Sequence, residues 1–282
     1  MKKILVPTDF SKNAQTSAEV AADIARRSGA TMILLHVVEG ATDDSFNVKG
    51  VVSDGGGEDR LFNAMLISKA RKQLEKAVND PMFADIQVDG ALRVGNPFHG
   101  MRTIVTENKV DLVVMGSSGK TKMEEMLIGS NTEKIIRMAK CPVLSVTKKP
   151  ARTDFRNIVY ATAMADDEVV FSRIVKRSQQ LYNSTIHLVM INTPASFMPD
   201  HIAKENLAKF AKKILLKNYT INIYNDFNVE DGVIRFSDSI DADMIAMATH
   251  GRTGFAHIIA GSVAEEVAGH AKRPVLTLVV KR

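Results

Sequence analysis

"GSNTEKIIRMAKCPVLSV", residues 129–146, returns at 261–278 as "GSVAEEVAGHAKRPVLTL", with Gly-Ser, a glutamate, Ala-Lys and Pro-Val-Leu kept in step. The same offset of 132 aligns "DLVVMGSSG" (111–119) with "DMIAMATHG" (243–251). Nearer the two starts, "KKILVPTD" (2–9) parallels "RNIVYATA" (156–163) at an offset of 154. The offsets differ because the first copy carries an extra polar stretch, "GATDDSFNVKGVVSDGGGED" (40–59), whose glycines and aspartates read as a mobile surface loop. A repeat this long is a whole domain rather than a solenoid unit. Two domains are expected, 1–150 and 151–282, joined near "TKKPARTDFRN" (147–157).

Within each copy, strand-like and helical segments alternate. "ILVPT" is a short β-rich run ended by proline. A helix follows from a Ser11 cap and stops at Gly29. Then come "TMILLHVV", a long helix over roughly 58–79, "DIQVDGALRV", a short helix after "GNP", "DLVVMG", a helix from Ser130 to about Met138, and "PVLSVT". Unbroken apolar strands such as 33–38 and 112–115 suit a sheet covered on both faces. Such alternation predicts the α/β class: parallel, doubly wound, Rossmann-like sheets with right-handed crossovers.

Composition narrows the function classes. Of 282 residues, 45% are hydrophobic and 24% charged, an ordinary globular balance, and no apolar run approaches the length of a membrane span. The start, "MKKILVPTDF", breaks at Pro7 without an apolar core or a small-residue cleavage site. Cys141 is the one cysteine, which excludes an internal disulfide and a cysteine-based metal cluster. A cytoplasmic protein is expected. The net charge of +5 is spread in pairs of basic residues at most, and aromatics make up only 6%, so a nucleic-acid reader is disfavoured.

The stretch "MGSSGKTKMEEMLIGSNTEKI" (115–135) ends in a helix start and invites a phosphate. A Walker loop requires a glycine five residues before Gly119, where Val114 stands, so Gly-Lys-Thr is a coincidence of letters. A dinucleotide fingerprint requires a glycine-rich turn after the first strand, where the chain reads "PTDFSK". A third arrangement takes the spacing as it stands. Gly116 and Gly119 let backbone approach a ribose or phosphate, and the helix opened by Gly129 and Ser130 offers N–H groups and a dipole to an anion. Asp9, at the end of the neighbouring strand, offers a carboxylate to adenine or ribose. The plainer alternative stays open at this point: the glycines only turn the chain, and Ser130 and Asp9 only cap helices.

The chain resembles a tandem universal stress protein, two family domains fused. The likeness is carried by "ILVPTDFS", "LLHVV" (34–38), the Gly-x2-Gly-x9-Gly-Ser spacing of 116–130, "AKCPVLSV", and "THGRTGFAHIIAGSVAEEVAGHAKRPVLTLVV" (249–280). The resemblance implies five parallel strands per domain, of the adenine-nucleotide-hydrolase-like kind, and ATP binding in members that keep the glycine motif. It implies that Asp9 and the Val37 backbone hold adenosine, and that Gly116 and Gly119 lie along ribose and phosphates. Gly129, Ser130, Asn131 and Thr132 would take the triphosphate. Mg or Mn can accompany the phosphates, with no carboxylate clearly placed to hold the metal; Glu124 and Glu125 read as solvent-facing. In the family the last strand pairs across a two-fold axis, so a fused chain is expected to form a pseudo-dimer internally, with a homodimer of such chains left open.

The copies are not equivalent. Asp9 corresponds to Ala163 and Gly116 to Ala248, whereas Gly119, Gly129 and Ser130 keep counterparts in Gly251, Gly261 and Ser262. Losing a charged hydrogen-bond partner is worth ~1.5–3 kcal/mol, so nucleotide is expected mainly in the first domain. His250 and Arg252 offer the second copy alternative anion contacts. No Ser-His-Asp order, metal spacing or paired carboxylates stand out, and His36 reads as a core residue within its apolar strand. The expected function is ATP-dependent signalling or stress protection towards a protein partner. A slow ATPase or nucleotidyl transferase, and a dimerising protein with an empty site, are the alternatives.

Overall fold

The computed structural model describes residues 1–39, 57–117, 129–250 and 260–280, with backbone alone at 57–60, 130, 250 and 260–262. The expected loop at 40–59 falls almost wholly outside them, as do Gly119, Glu124, Glu125, Gly251 and Arg252. Two compact units divide the chain, Met1–Val114 and Met115–Arg282.

The first unit runs β1 (Lys3–Pro7), α1 (Lys12–Ser28), β2 (Thr31–Val38), α2 (Gly57–Val78), β3 (Val88–Val94) and α3 (Pro97–Glu107) into β4 (Leu112–Gly116), which meets the unit boundary. Its strands are parallel in the order β3-β2-β1-β4, with Leu5 opposite Ile33 and Val113. Ile4, Leu5, Val6, Met32, Leu34, Leu35, Val113 and Val114 are buried, as strands covered on both faces require. The local signals of α1 act as expected. Ser11 Oγ accepts the Ala14 N–H at 3.2 Å, and Gly29 ends the helix at φ 66°, a conformation natural to glycine. β3 begins three residues later than the expected segment, because a 3-10 turn at Pro81–Phe83 draws in Ile86, whose N–H bonds the Phe83 carbonyl.

The second unit contains α4 (Ser130–Met138), β5 (Val143–Val146), β6 (Asn157–Ala161), α5 (Glu168–Tyr182), β7 (Thr185–Asn192), α6 (Asp200–Lys213), β8 (Tyr219–Asn225), α7 (Val229–Ser239), β9 (Met244–His250), α8 (Ala260–His270) and β10 (Val275–Val280). Its strand order is β5-β10-β9-β6-β7-β8. Neighbours from β10 to β8 are parallel, while β5 and β10 run antiparallel with Leu144 opposite Leu276. The strands that "PVLSV" and "PVLTLVV" encode therefore pair with each other.

The repeat persists in atomic detail. Asp111 Oδ2 accepts the Lys3 N–H at 3.0 Å, and its counterpart Asp243 accepts the Asn157 N–H at 2.8 Å. Asn96 caps α3 and Asn228 caps α7, each accepting the N–H three residues on. The glycine four residues after each asparagine makes room for a strand. A Cβ on Gly100 would stand 3.0 Å from Val37 Cγ2, and one on Gly232 2.5 Å from Ile191 Cγ2.

Candidate functional site

Both sequence-selected regions follow strands β1 and β4, which pair in the first unit. In open parallel sheets ligands are taken beyond the carboxyl ends of the strands, where the strand order reverses. After β1, Thr8 N–H donates to the Leu35 carbonyl at 2.8 Å, and Thr8 Oγ1 accepts the Phe10 N–H at 3.0 Å. Asp9 Oδ1 accepts the Ser11 N–H at 2.9 Å, and Phe10 sits at φ 61°. His36 is partly buried rather than core. Its Nδ1 lies 2.8 Å from the Thr8 carbonyl oxygen and its ring packs on Phe10 at 4.5 Å, so strand and turn hold one another. Asp9 is thus fixed by the turn it orders and partly exposed at its surface. Val37 follows on β2, its side chain packed against Gly100.

After β4, a second set of contacts forms within the second unit. Ser117 N–H donates to the Val146 carbonyl at 3.1 Å, and Gly129 N–H donates to the Ser117 carbonyl at 2.6 Å. Thr132 Oγ1 donates to the Gly116 carbonyl at 2.9 Å. Gly116, Gly129 and Thr132 are thereby brought together. The helix α4 starts without a side-chain cap: Gly129 occupies the N-cap, and the first intrahelical bond runs from Glu133 N–H to the Gly129 carbonyl at 3.0 Å. The amides of residues 130–132 precede that bond and stand at the positive end of the helix dipole. Thr132, 3% exposed, spends its hydroxyl on Gly116, so its contribution is to position the helix start. Asn131 is partly exposed. Gly119 and the Ser130 side chain lie outside the described residues. Among the described residues no group of three or more His, Cys, Asp or Glu gathers to hold a metal ion, and no helix is long and apolar enough to cross a membrane.

The second copy holds a residue that sequence comparison misses. Ala163 stands where Asp9 stands in the first, but Glu168, from the first turn of α5, reaches back into the turn. Its Oε1 accepts the N–H groups of Ala163 at 3.0 Å and Ala165 at 3.3 Å. Its Oε2 accepts the hydroxyls of Thr162 at 2.5 Å and Tyr160 at 3.2 Å. Glu168 is 2% exposed, and burial pushes its carboxyl above the usual range, against the pull of its donors. Burial, then the charge of Glu168, raises the Tyr160 phenol as well. Because the folded state binds the Glu168 proton more tightly, its contribution is full below the ordinary glutamate pKa and is lost as pH rises through the folded value. Glu168→Gln removes that titration. The stability advantage of wild type over this variant is expected to shrink as pH rises from about 4.3, measured by denaturant unfolding at a series of pH values. A pH-independent difference would show that Glu168 does not titrate with folding.

The strand order and the alternation of strands and helices define the doubly wound, mostly parallel α/β class, in which the carboxyl ends of the strands are where ligands are generally taken. The chain belongs to the universal stress protein family, whose model matches residues 1–147 and 226–279. A universal stress protein of Methanocaldococcus jannaschii is 32% identical over 54% of this chain and 84% of its own. One of Synechocystis is 25% identical over 98% of this chain and 99% of its own. Among solved structures, a universal stress protein of Archaeoglobus fulgidus shares the fold at a TM-score of 0.74 and 18% identity, covering 98% of both chains. Another universal stress protein, solved in complex with cAMP, matches 45% of this chain and 98% of its own at 20% identity and a TM-score of 0.35.

Proposed function

We propose that this protein is a nucleotide-responsive universal stress protein built of two family domains, 1–150 and 151–282, with ATP held mainly by the first. The observation that carries the reading is the start of α4, which has no side-chain cap bond at Gly129 and is tied by Thr132 to the Gly116 carbonyl, so that first-turn amides of the kind that receive phosphate oxygens lie beside both glycines. In this reading Asp9 and the Val37 backbone receive adenosine, Gly116 and Gly119 run along the ribose and phosphates, and residues 129–132 take the triphosphate. Mg or Mn would arrive with the phosphates rather than be held by a carboxylate cluster. ATP occupancy is the signal, and a protein partner reads it. The antiparallel pairing of β5 with β10 supports a pseudo-dimer within one chain.

Freshly purified protein, denatured and analysed by chromatography and mass, is expected to release an adenine nucleotide. ATP at ~100 times its dissociation constant is expected to stabilise the fold by ~2.7 kcal/mol. Asp9→Ala should weaken ATP binding about tenfold to a hundredfold in calorimetric titration. No released nucleotide together with no thermal shift would overturn the reading.

A further inference from the structure

The turns after β1 and β6 share one hydrogen-bonding plan. Thr8 and Thr162 each accept, on the hydroxyl, the N–H two residues ahead, at 3.0 and 2.8 Å. Phe10 and Met164 take the same left-handed backbone, at φ 61° and φ 60°. A carboxylate then accepts the N–H of the next residue, Ser11 from Asp9 and Ala165 from Glu168. In sequence the carboxylate has changed place: residue 14 of the first copy is Ala14, and its counterpart in the second is Glu168. The consequences differ. Asp9 is partly exposed, while Glu168 is buried under the turn with both oxygens committed, two donors to each. Each carboxylate oxygen has about two lone-pair sites, so this one has none left to offer. The N–H groups of residues 163, 164 and 165 are likewise all spent inside the protein.

We propose that Glu168 is the internal occupant of the second ligand turn: it supplies from α5 the carboxylate that residue 9 supplies in the first copy, and it leaves the turn neither a carboxylate oxygen nor an N–H of residues 163–165 for a nucleotide. The absence of an aspartate at position 163 is therefore a relocation that closes the turn rather than a decay that loosens it. The clause about nucleotide rests on the proposed function above; the clause about the turn does not.

Hydrogen exchange of the full-length chain, read at residues 163–165, tests the clause about the turn without any ligand. Glu168→Ala is expected to speed exchange at Ala163 and Ala165 at least tenfold. Acetate, the probe for the missing group, should slow it again in a saturable way and leave wild type unchanged. Ala163→Asp placed in the Glu168→Ala background should restore protection at residue 165, as Asp9 holds residue 11. Glu168→Leu, which keeps the packing volume but accepts nothing, is the reading to use if the alanine variant does not fold, and it should show the same fast exchange. Unchanged exchange in both variants, or no rescue by either acetate or the Ala163→Asp substitution, would overturn the proposal. ATP titration of wild type gives a separate answer. One equivalent per chain agrees with a closed second turn, two equivalents overturn the closure, and none overturns the proposed function while the exchange result still stands on its own.

Discussion

Gly129→Asp is expected to abolish nucleotide binding while leaving the protein as stable as wild type or slightly more so. Gly129 lies at φ −70° and ψ 142°, an extended geometry that aspartate adopts freely, and it occupies an N-cap that has no side-chain bond. An aspartate there would accept the amide N–H groups of the first turn of α4, worth a few tenths of a kcal/mol over glycine. The same amides are the ones proposed to meet the triphosphate, and the new carboxylate would both occupy them and repel the ligand. A loss of about a hundredfold or more, ~3 kcal/mol, is expected in calorimetric titration with ATP. Gly129→Ala adds no charge and is the control that separates anion competition from bulk. Affinity of the aspartate variant within threefold of wild type would remove α4 from the site.

The second large effect concerns stability. Arg137, on α4, donates through Nε and Nη2 to the two carboxylate oxygens of Glu265 on α8, and it also meets Glu133 one turn earlier at 2.7 Å. Glu265 is only 7% exposed at its side chain, whereas Arg137 is 33% exposed. Burial would lower the affinity of Arg137 for its proton, but its bonds to Glu265 dominate and raise it, so the guanidinium is charged throughout. Truncating one member of a buried pair typically costs 3–5 kcal/mol, because the other is left without a partner. With Arg137 partly in water, Arg137→Ala is expected to cost about 2–3 kcal/mol in denaturant unfolding. Adding Glu265→Gln should recover more than half of that, since the stranded charge is gone. A cost below about 0.5 kcal/mol would mean that water already satisfies Glu265.

Much of the fold was legible because its signals are local. Ser11, Gly29, the run from Thr31 to Val38 and the helix from Ser130 to Met138 lie where caps, glycines and apolar runs put them. Two features escaped because they join residues that a position-by-position reading does not bring together. Arg137 meets Glu265 across 128 residues, and the repeat offers no warning, since the counterpart of Arg137 is Gly269. Glu168 escaped because such a comparison registers Ala163 as a loss, while the compensating residue comes from the following helix. A third feature was within reach: an asparagine followed four residues later by glycine, at 96–100 and again at 228–232. The residues between them differ, and only the strand packed against each glycine shows why the pair recurs. His36 illustrates the opposite error. An apolar strand implied a core residue, but the strand's end is where side chains meet a turn instead of a helix.

The antiparallel seam between β5 and β10 joins strands of one polypeptide. An equivalent seam between separate subunits would obey mass action and come apart on dilution, with a few-fold change in synthesis shifting its occupancy. Covalent continuity replaces that bimolecular equilibrium with a local one, whose effective concentration is fixed by the tether. The seam therefore persists when the protein is scarce, and neither strand can exchange its partner without first leaving the other.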